Sequence, residues 1–253
     1  SIFMHDFAAT EKYTLFLDFP ITLDVGRAIA GGPAVDFEPQ YGSRIGVMPR
    51  YGCDEDVRWF EVETGVVIHT ANAWDDGDEV VLQASRSNTA DIAGAGTSEG
   101  NNLQENQGRL YEWRINLVTG DVSERALSGT PCDFTRVNDD CACHKTRYVH
   151  AGGFNTERAF TFDGVMKYDN ESGVTSECLY GPNRYGGEAV FAPKIGSVLE
   201  DDGYLVCFVH DEAENQSECQ IIDAQDITAG PVATIIMPFR VPYGFHAGWV
   251  GAE

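Results

Sequence analysis

Gly65, Gly120, Gly173 and Gly230 recur at intervals of 55, 53 and 57 residues, and each closes a similar segment. The segments run over 59–65, 113–120, 166–173 and 221–230. Each reads as a strand, then a tight turn with a small residue just before the glycine, then a second strand. Several strands repeated every 40–50 residues or so are the sequence mark of propeller blades. One blade cannot bury its own apolar face, and stacked neighbours can. About four such blades fit into 253 residues. A sandwich would not need the repeat.

The local pattern agrees. Tyr13-Thr14-Leu15-Phe16-Leu17, Arg58-Trp59-Phe60-Glu61-Val62 and Tyr204-Leu205-Val206-Cys207-Phe208-Val209 are short apolar runs bounded by Gly, Pro, Asn or Asp. That is the period and punctuation of an all-β chain. Helical periodicity is nearly absent. The one helix-tolerant stretch is Leu103 to Gln107, after a Gly/Ser/Asn-rich loop from Ser87 to Asn102 that reads as an insertion.

A chain with 43% hydrophobic residues can bury a core. Its net charge of −23 argues against nucleic acid and against an anionic lipid surface, both of which need clustered basic residues. No run of about 18 apolar residues suggests a membrane-spanning helix. The chain opens at Ser1 in strand-like sequence, without a leader, so a mature or truncated polypeptide is expected. Seven scattered cysteines read as reduced thiols. Cys141-Ala142-Cys143-His144 is half of a zinc pattern without a second half, and reads as an exposed loop.

Three of six histidines end apolar strands: His5 in FMHDF, His69 in VVIHTANAW and His246 in VPYGFH. One such histidine is an ordinary core residue. Three on different blades are more informative, because inner strands of a propeller converge on its axis. Neutral imidazoles meeting there could ligate iron, zinc or copper.

At these residues the chain resembles the carotenoid cleavage dioxygenases. The resemblance is carried, in order, by FMHDFAATEKYTLFLDFP, RIGVMPRYG, VVIHTANAWDDGDEVVL, RYGGEAVFAPK, EDDGYLVCFVHDE and RVPYGFHAGWV. It is closer to the plant and algal branch than to the lignostilbene-cleaving one. It implies a seven-bladed propeller, of which residues 1–253 would be the C-terminal portion, about four to five blades. It implies Fe(2+) on the axis held by four histidines, a hydrophobic tunnel, and oxidative cleavage of a carotenoid or apocarotenoid double bond by dioxygen to two carbonyl products.

Carried over residue by residue, His5, His69 and His246 match three metal ligands, and the fourth has no counterpart in this sequence. Glu188 in YGGEAVF matches the carboxylate expected behind His246. Asp133 in CDFTRVN stands where the family has Glu behind His69, one methylene shorter. Such carboxylates accept the outer imidazole N–H, fix the ring and raise its basicity. Trp74 and Phe245 are candidates for the tunnel wall.

Other features read as structural. His144 and His150 are expected at the surface or in the core, and His210 beside a capped turn. Asp6 is expected to organise the turn after His5. The runs 75–79 and 200–203 lack the spacing of a calcium loop. Two readings follow. In one the chain is part of an iron(II) dioxygenase, inactive by itself and completed by an N-terminal segment or another chain. In the other it is a catalytically inactive pigment-binding or structural subunit, derived from the same family, of a larger assembly such as a photosynthetic one. A plastid is the expected compartment, with the cytoplasm as the alternative. Peripheral membrane contact is compatible with either.

Overall fold

The computed structural model describes residues 2–88, 107–155, 157 and 161–251. The chain divides into two units, the first formed by residues 1–129 and 143–145 and the second by 130–142 and 146–253.

In the first unit, β1 (Ala8–Ala9), β2 (Tyr13–Asp18), β5 (Ser43–Pro49) and β6 (Arg58–Val62) form one antiparallel sheet in that order. β3 (Ile21–Leu23) and β4 (Val35–Phe37) pair beside it in sequence. β7 (Val66–Asp76), β8 (Glu79–Ser87), β9 (Arg109–Asn116) and the start of β10 (Val122–Arg136) follow as consecutive antiparallel neighbours. Alternation decides which side chains enter the core. Leu15 and Leu17 of β2 meet Ile45 and Val47 of β5, Val80 and Leu82 of β8, and Trp113 and Ile115 of β9. Side chains of this size each contribute roughly 1.5–3 kcal/mol on full burial. Trp113 is fully buried yet keeps its indole N–H satisfied, donating to Glu124 Oε2 at 2.9 Å.

The second unit continues with β11 (Tyr148–Phe154), β12 (Phe162–Asp169), β13 (Thr175–Leu179), β14 (Arg184–Gly186), β15 (Val190–Pro193), β16 (Gly203–Asp211), β17 (Gln216–Asp223) and β18 (Pro231–Ile236). All pairings are antiparallel. Over the first seven residues of β16 the alternation is strict: Leu205, Cys207 and Val209 are buried, while Tyr204, Val206 and Phe208 are not. They join Val165, Tyr180, Phe191 and Ile222 in a second core.

The repeat is real, with one correction. Gly120, Gly173 and Gly230 close the β9–β10, β12–β13 and β17–β18 connections at φ of +83°, +72° and +81°, backbone that favours glycine. Gly65 differs. It links β6 to β7, which belong to different sheets. A Cβ there would lie 2.7 Å from Arg86 Nε and 3.0 Å from the Ser87 carbonyl oxygen, so this glycine marks a close approach and not a turn.

The single described α-helix, α1 (Val25–Ile29), is five residues long, capped by Asp24, and buries nothing. The loop expected from Ser87 to Asn102 and the helix-tolerant stretch after it lie almost wholly outside the described residues.

Candidate metal centre

Each unit carries a histidine site built from its own residues. In the first, residues 3–7 form no regular structure. Asp6 fixes them. Its Oδ1 accepts Phe7 N–H at 2.7 Å, and its Oδ2 accepts both the backbone N–H and the hydroxyl of Thr70, at 2.8 and 2.7 Å. Thr70 is available because the β7–β8 register slips on both sides of it. A bulge re-aims side chains and unpairs backbone groups. His69 is the neighbouring residue. The result places the His5 and His69 rings 5.0 Å apart between centroids, at 75°.

That geometry suits a shared metal. A metal–nitrogen bond of about 2.1 Å puts a ring centre about 3.2 Å from the ion, and two imidazoles 90–109° apart would then have centres about 4.5–5.2 Å apart. His5 also stacks on Phe3 at 6.0 Å.

In the second unit His246 lies on the irregular stretch after β18. Its Nδ1 is 3.5 Å from Glu188 Oε2. The same carboxylate oxygen accepts Ala247 N–H at 2.7 Å, and Oε1 accepts Arg136 Nη1 at 3.0 Å. Glu188 is buried, with 3% of its side chain exposed. Burial alone would lower the pKa of Arg136, but Glu188 and Asp139 outweigh it and hold the guanidinium charge more firmly than usual.

Phe134 closes the ring from the side, edge-on to His246 at 5.5 Å. It does so from φ of +54°, at the irregular register between Asp133 and Arg136 in β10. A bulky residue in that region is strained and persists only where its surroundings hold it. Asp133 itself accepts the Phe134 N–H at 2.8 Å.

Among the other sequence candidates, Trp74 is 3% exposed in the first unit and Phe245 77% exposed in the second, 6.5 Å from Phe134. His144 is exposed, 3.6 Å from Glu11. The adjoining Cys loop is tied to β7 by Asn72, which accepts Cys143 N–H and donates to the His144 carbonyl. His210 is buried against the Ser217 hydroxyl at 3.0 Å, while Asp211 caps the following turn through Ala213 and Glu214 N–H. The acidic runs have cation partners: Asp76 and Glu79 with Arg114, Asp201 with Lys167, Asp202 with Lys194. Sequence reasoning missed Arg136, Phe134 and the Asp6–Thr70 link. In the sequence they are plain residues of CDFTRV and of the His69-Thr70 pair, with nothing to mark their contacts.

The profile of the family described as retinal pigment epithelial membrane protein, RPE65, matches residues 1–251. The chain belongs to this family, that of the carotenoid cleavage dioxygenases. It is 39% identical over 270 residues to the carotenoid 9,10(9',10')-cleavage dioxygenase of Crocus sativus, covering 100% of this chain and 49% of that protein. It is 35% identical to the chloroplastic 9-cis-epoxycarotenoid dioxygenase NCED1 of Oryza sativa subsp. japonica, covering 98% of this chain and 39% of that one. Among solved structures, the cobalt-substituted Synechocystis ACO matches with a TM-score of 0.87 and 30% identity, over 99% of this chain and 53% of that one. The fold class is therefore the all-β propeller of the carotenoid oxygenases. The chain spans about half the length of the relatives it matches.

Proposed function

We propose that this chain is the C-terminal portion of an iron(II)-dependent dioxygenase that cleaves a double bond of a carotenoid or apocarotenoid to two carbonyl products. The observation that carries the reading is the perpendicular His5–His69 pair, 5.0 Å apart, in a chain of this family. His5, His69 and His246 would hold the ferrous ion, with a fourth donor from outside this sequence. Ferrous iron, when bound, supplies the redox chemistry by which both atoms of dioxygen are transferred to the two carbons of one double bond.

The residues of this chain hold and orient. Glu188, whose Oε2 lies 3.5 Å from His246 Nδ1, would accept the outer proton of that ring, leaving Nε2 as the ligating atom and raising its basicity. Asp133 would do the same for His69, directly or through a water, its shorter side chain making a bridge the natural solution. Asp6 fixes the irregular segment that carries His5 against Thr70. Trp74 and Phe245 would contribute to the wall of an apolar tunnel, where exclusion of water and alignment of the polyene matter more than any acid or base. The chloroplastic relative favours a plastid, with the cytoplasm as the alternative. No helix among the described residues is long and apolar enough to cross a membrane.

The test is direct. The full-length protein, loaded with iron(II) without air and then given oxygen and an apocarotenoid, should release aldehyde products detectable by chromatography and mass spectrometry. Residues 1–253 alone, treated identically, should not. Turnover by the isolated chain would contradict the incomplete ligand set. No products from the iron-loaded full-length protein, across carotenoid and apocarotenoid substrates, would contradict the enzymatic reading.

A further inference from the structure

Glu188 and His246 come from segments 58 residues apart, and neither stands on a regular strand. What sets the gap between them is visible one residue before Glu188 and two before His246. A Cβ built on Gly187 would stand 2.6 Å from the carbonyl oxygen of Gly244, and 3.2 Å from its carbonyl carbon and Cα. The two backbones touch where a side chain would be. We infer that Gly187 is a positioning residue: its bare Cα lets the Gly244 backbone seat against it and thereby sets the approach of the His246 ring to the Glu188 carboxylate. This rests on the proposed role of His246 as a ligand.

Both sides of the contact are anchored, so neither can simply retreat. Gly187 is buried, and its N–H donates to the Phe208 carbonyl at 3.3 Å. On the other side, Val241 N–H donates to the Ser217 hydroxyl at 2.9 Å, and Ala247 N–H donates to Glu188 itself at 2.7 Å. A methyl group at position 187 must move backbone, not a flexible side-chain end. The Gly244 carbonyl would have to withdraw at least about 0.4 Å to reach the 3.0 Å that real Cβ contacts respect. The displacement falls between the two anchors, in the five residues 242–246 that include His246. Shifts of about 0.5 Å are enough to degrade a preorganised site.

Its neighbour offers a matched control. A Cβ on Gly186 would also clash, at 2.7 Å, but with the ring of Tyr180 in the core of the second unit. Neither glycine has a positive φ, so left-handed backbone strain enters at neither. Gly186→Ala should cost stability through the core. Gly187→Ala should act on the site.

The experiment compares the full-length protein with its Gly187→Ala and Gly186→Ala variants. The readouts are iron or cobalt affinity, the visible spectrum of the cobalt form, the thermal midpoint, and the metal-free crystal structure. Gly187→Ala is expected to weaken metal binding by about 10-fold, the low end for losing support behind a ligating histidine. It should alter the cobalt spectrum and lengthen the Glu188–His246 separation beyond the present 3.5 Å. Gly186→Ala should lower the midpoint while leaving affinity and spectrum near those of the parent. A Gly187→Ala protein with unchanged separation would overturn the inference whatever the metal data show. So would equal losses of affinity in the two variants, tracking their losses of stability. A parent protein that binds no metal would instead sink the functional proposal, and the crystallographic separation would still decide the role of Gly187.

Discussion

The two histidine sites are held by different means. In the first unit His69 stands on an eleven-residue strand, and His5 is tied to that strand by one carboxylate, Asp6, reaching Thr70. The sheet supplies most of the precision. In the second unit His246 lies on irregular backbone, and specific contacts orient it: the buried Glu188, Arg136 behind it, the strained Phe134 and the Gly187–Gly244 touch. A site resting on a ladder of backbone bonds should tolerate loss of one side chain. A site resting on a few converging contacts should not.

The largest effect expected from breaking this contrast is at Glu188. Glu188→Ala removes the acceptor for Ala247 N–H and leaves Arg136, 29% exposed, without its most buried partner. Iron affinity should fall roughly 10–100-fold. The thermal midpoint should fall as well, because a half-buried cation keeps only the exposed Asp139 as counter-charge. Equilibrium metal titration and a melting curve read both, and an unchanged affinity would remove Glu188 from the site.

Asp6→Ala should cost less. Three hydrogen bonds to a partly buried carboxylate go, but β7 remains to hold His69. About 10-fold in iron affinity is expected, on the scale of one charge-assisted hydrogen bond. A loss larger than that of Glu188→Ala would reverse the comparison between the sites.

The smallest effect on metal binding, and one confined to the second unit, concerns acid. His150 is fully buried on β11, stacked on Phe191 at 6.0 Å, and neither ring nitrogen has a hydrogen-bond partner among the described residues. Burial, reinforced by the nearby Lys167 charge, pushes its pKa down to about 3. The unfolded chain takes up that proton near the ordinary value of about 6.5. Stability from the neutral buried ring is therefore complete above about 6.5 and is lost as pH falls toward about 3, by up to about 1.4 kcal/mol per pH unit. His150→Phe should flatten this acid limb without changing iron affinity. Hydrogen exchange along β11 and β12 at pH 7 and at pH 4.5 would show it, and an identical acid response in the variant would exclude His150 as its source.

Much of this was legible in the sequence because alternation is a strong signal. Leu205, Cys207 and Val209 announce their own burial, and three of the four recurring glycines occupy the turns their spacing suggests. Gly65 misled because a glycine needed for close approach to Arg86 looks in sequence like one needed for a turn. His5, His69 and His246 stood out by their place at the ends of apolar runs, but their role as ligands of one ion, and Glu188 altogether, came from the family resemblance, since nothing in an isolated YGGEAVF states that its side chain supports a metal. Arg136 and Phe134 were missed for a physical reason. Their roles depend on a bulge in β10 that brings Phe134 to positive φ, and no residue type in CDFTRV signals such a backbone. The Gly187 contact is likewise invisible without coordinates, because it is made between backbones.

The central claim is that His5, His69 and His246 hold one ferrous ion. Its most direct test is X-ray absorption at the iron edge on the full-length protein and on its His5→Ala, His69→Ala and His246→Ala variants, each loaded without air. The parent should show nitrogen or oxygen neighbours near about 2.1 Å with the multiple-scattering pattern of several imidazoles, and each substitution should remove one imidazole from that count. An imidazole count that stays the same in any of the three variants would contradict the assignment of that histidine, and the same result in all three would place the iron elsewhere.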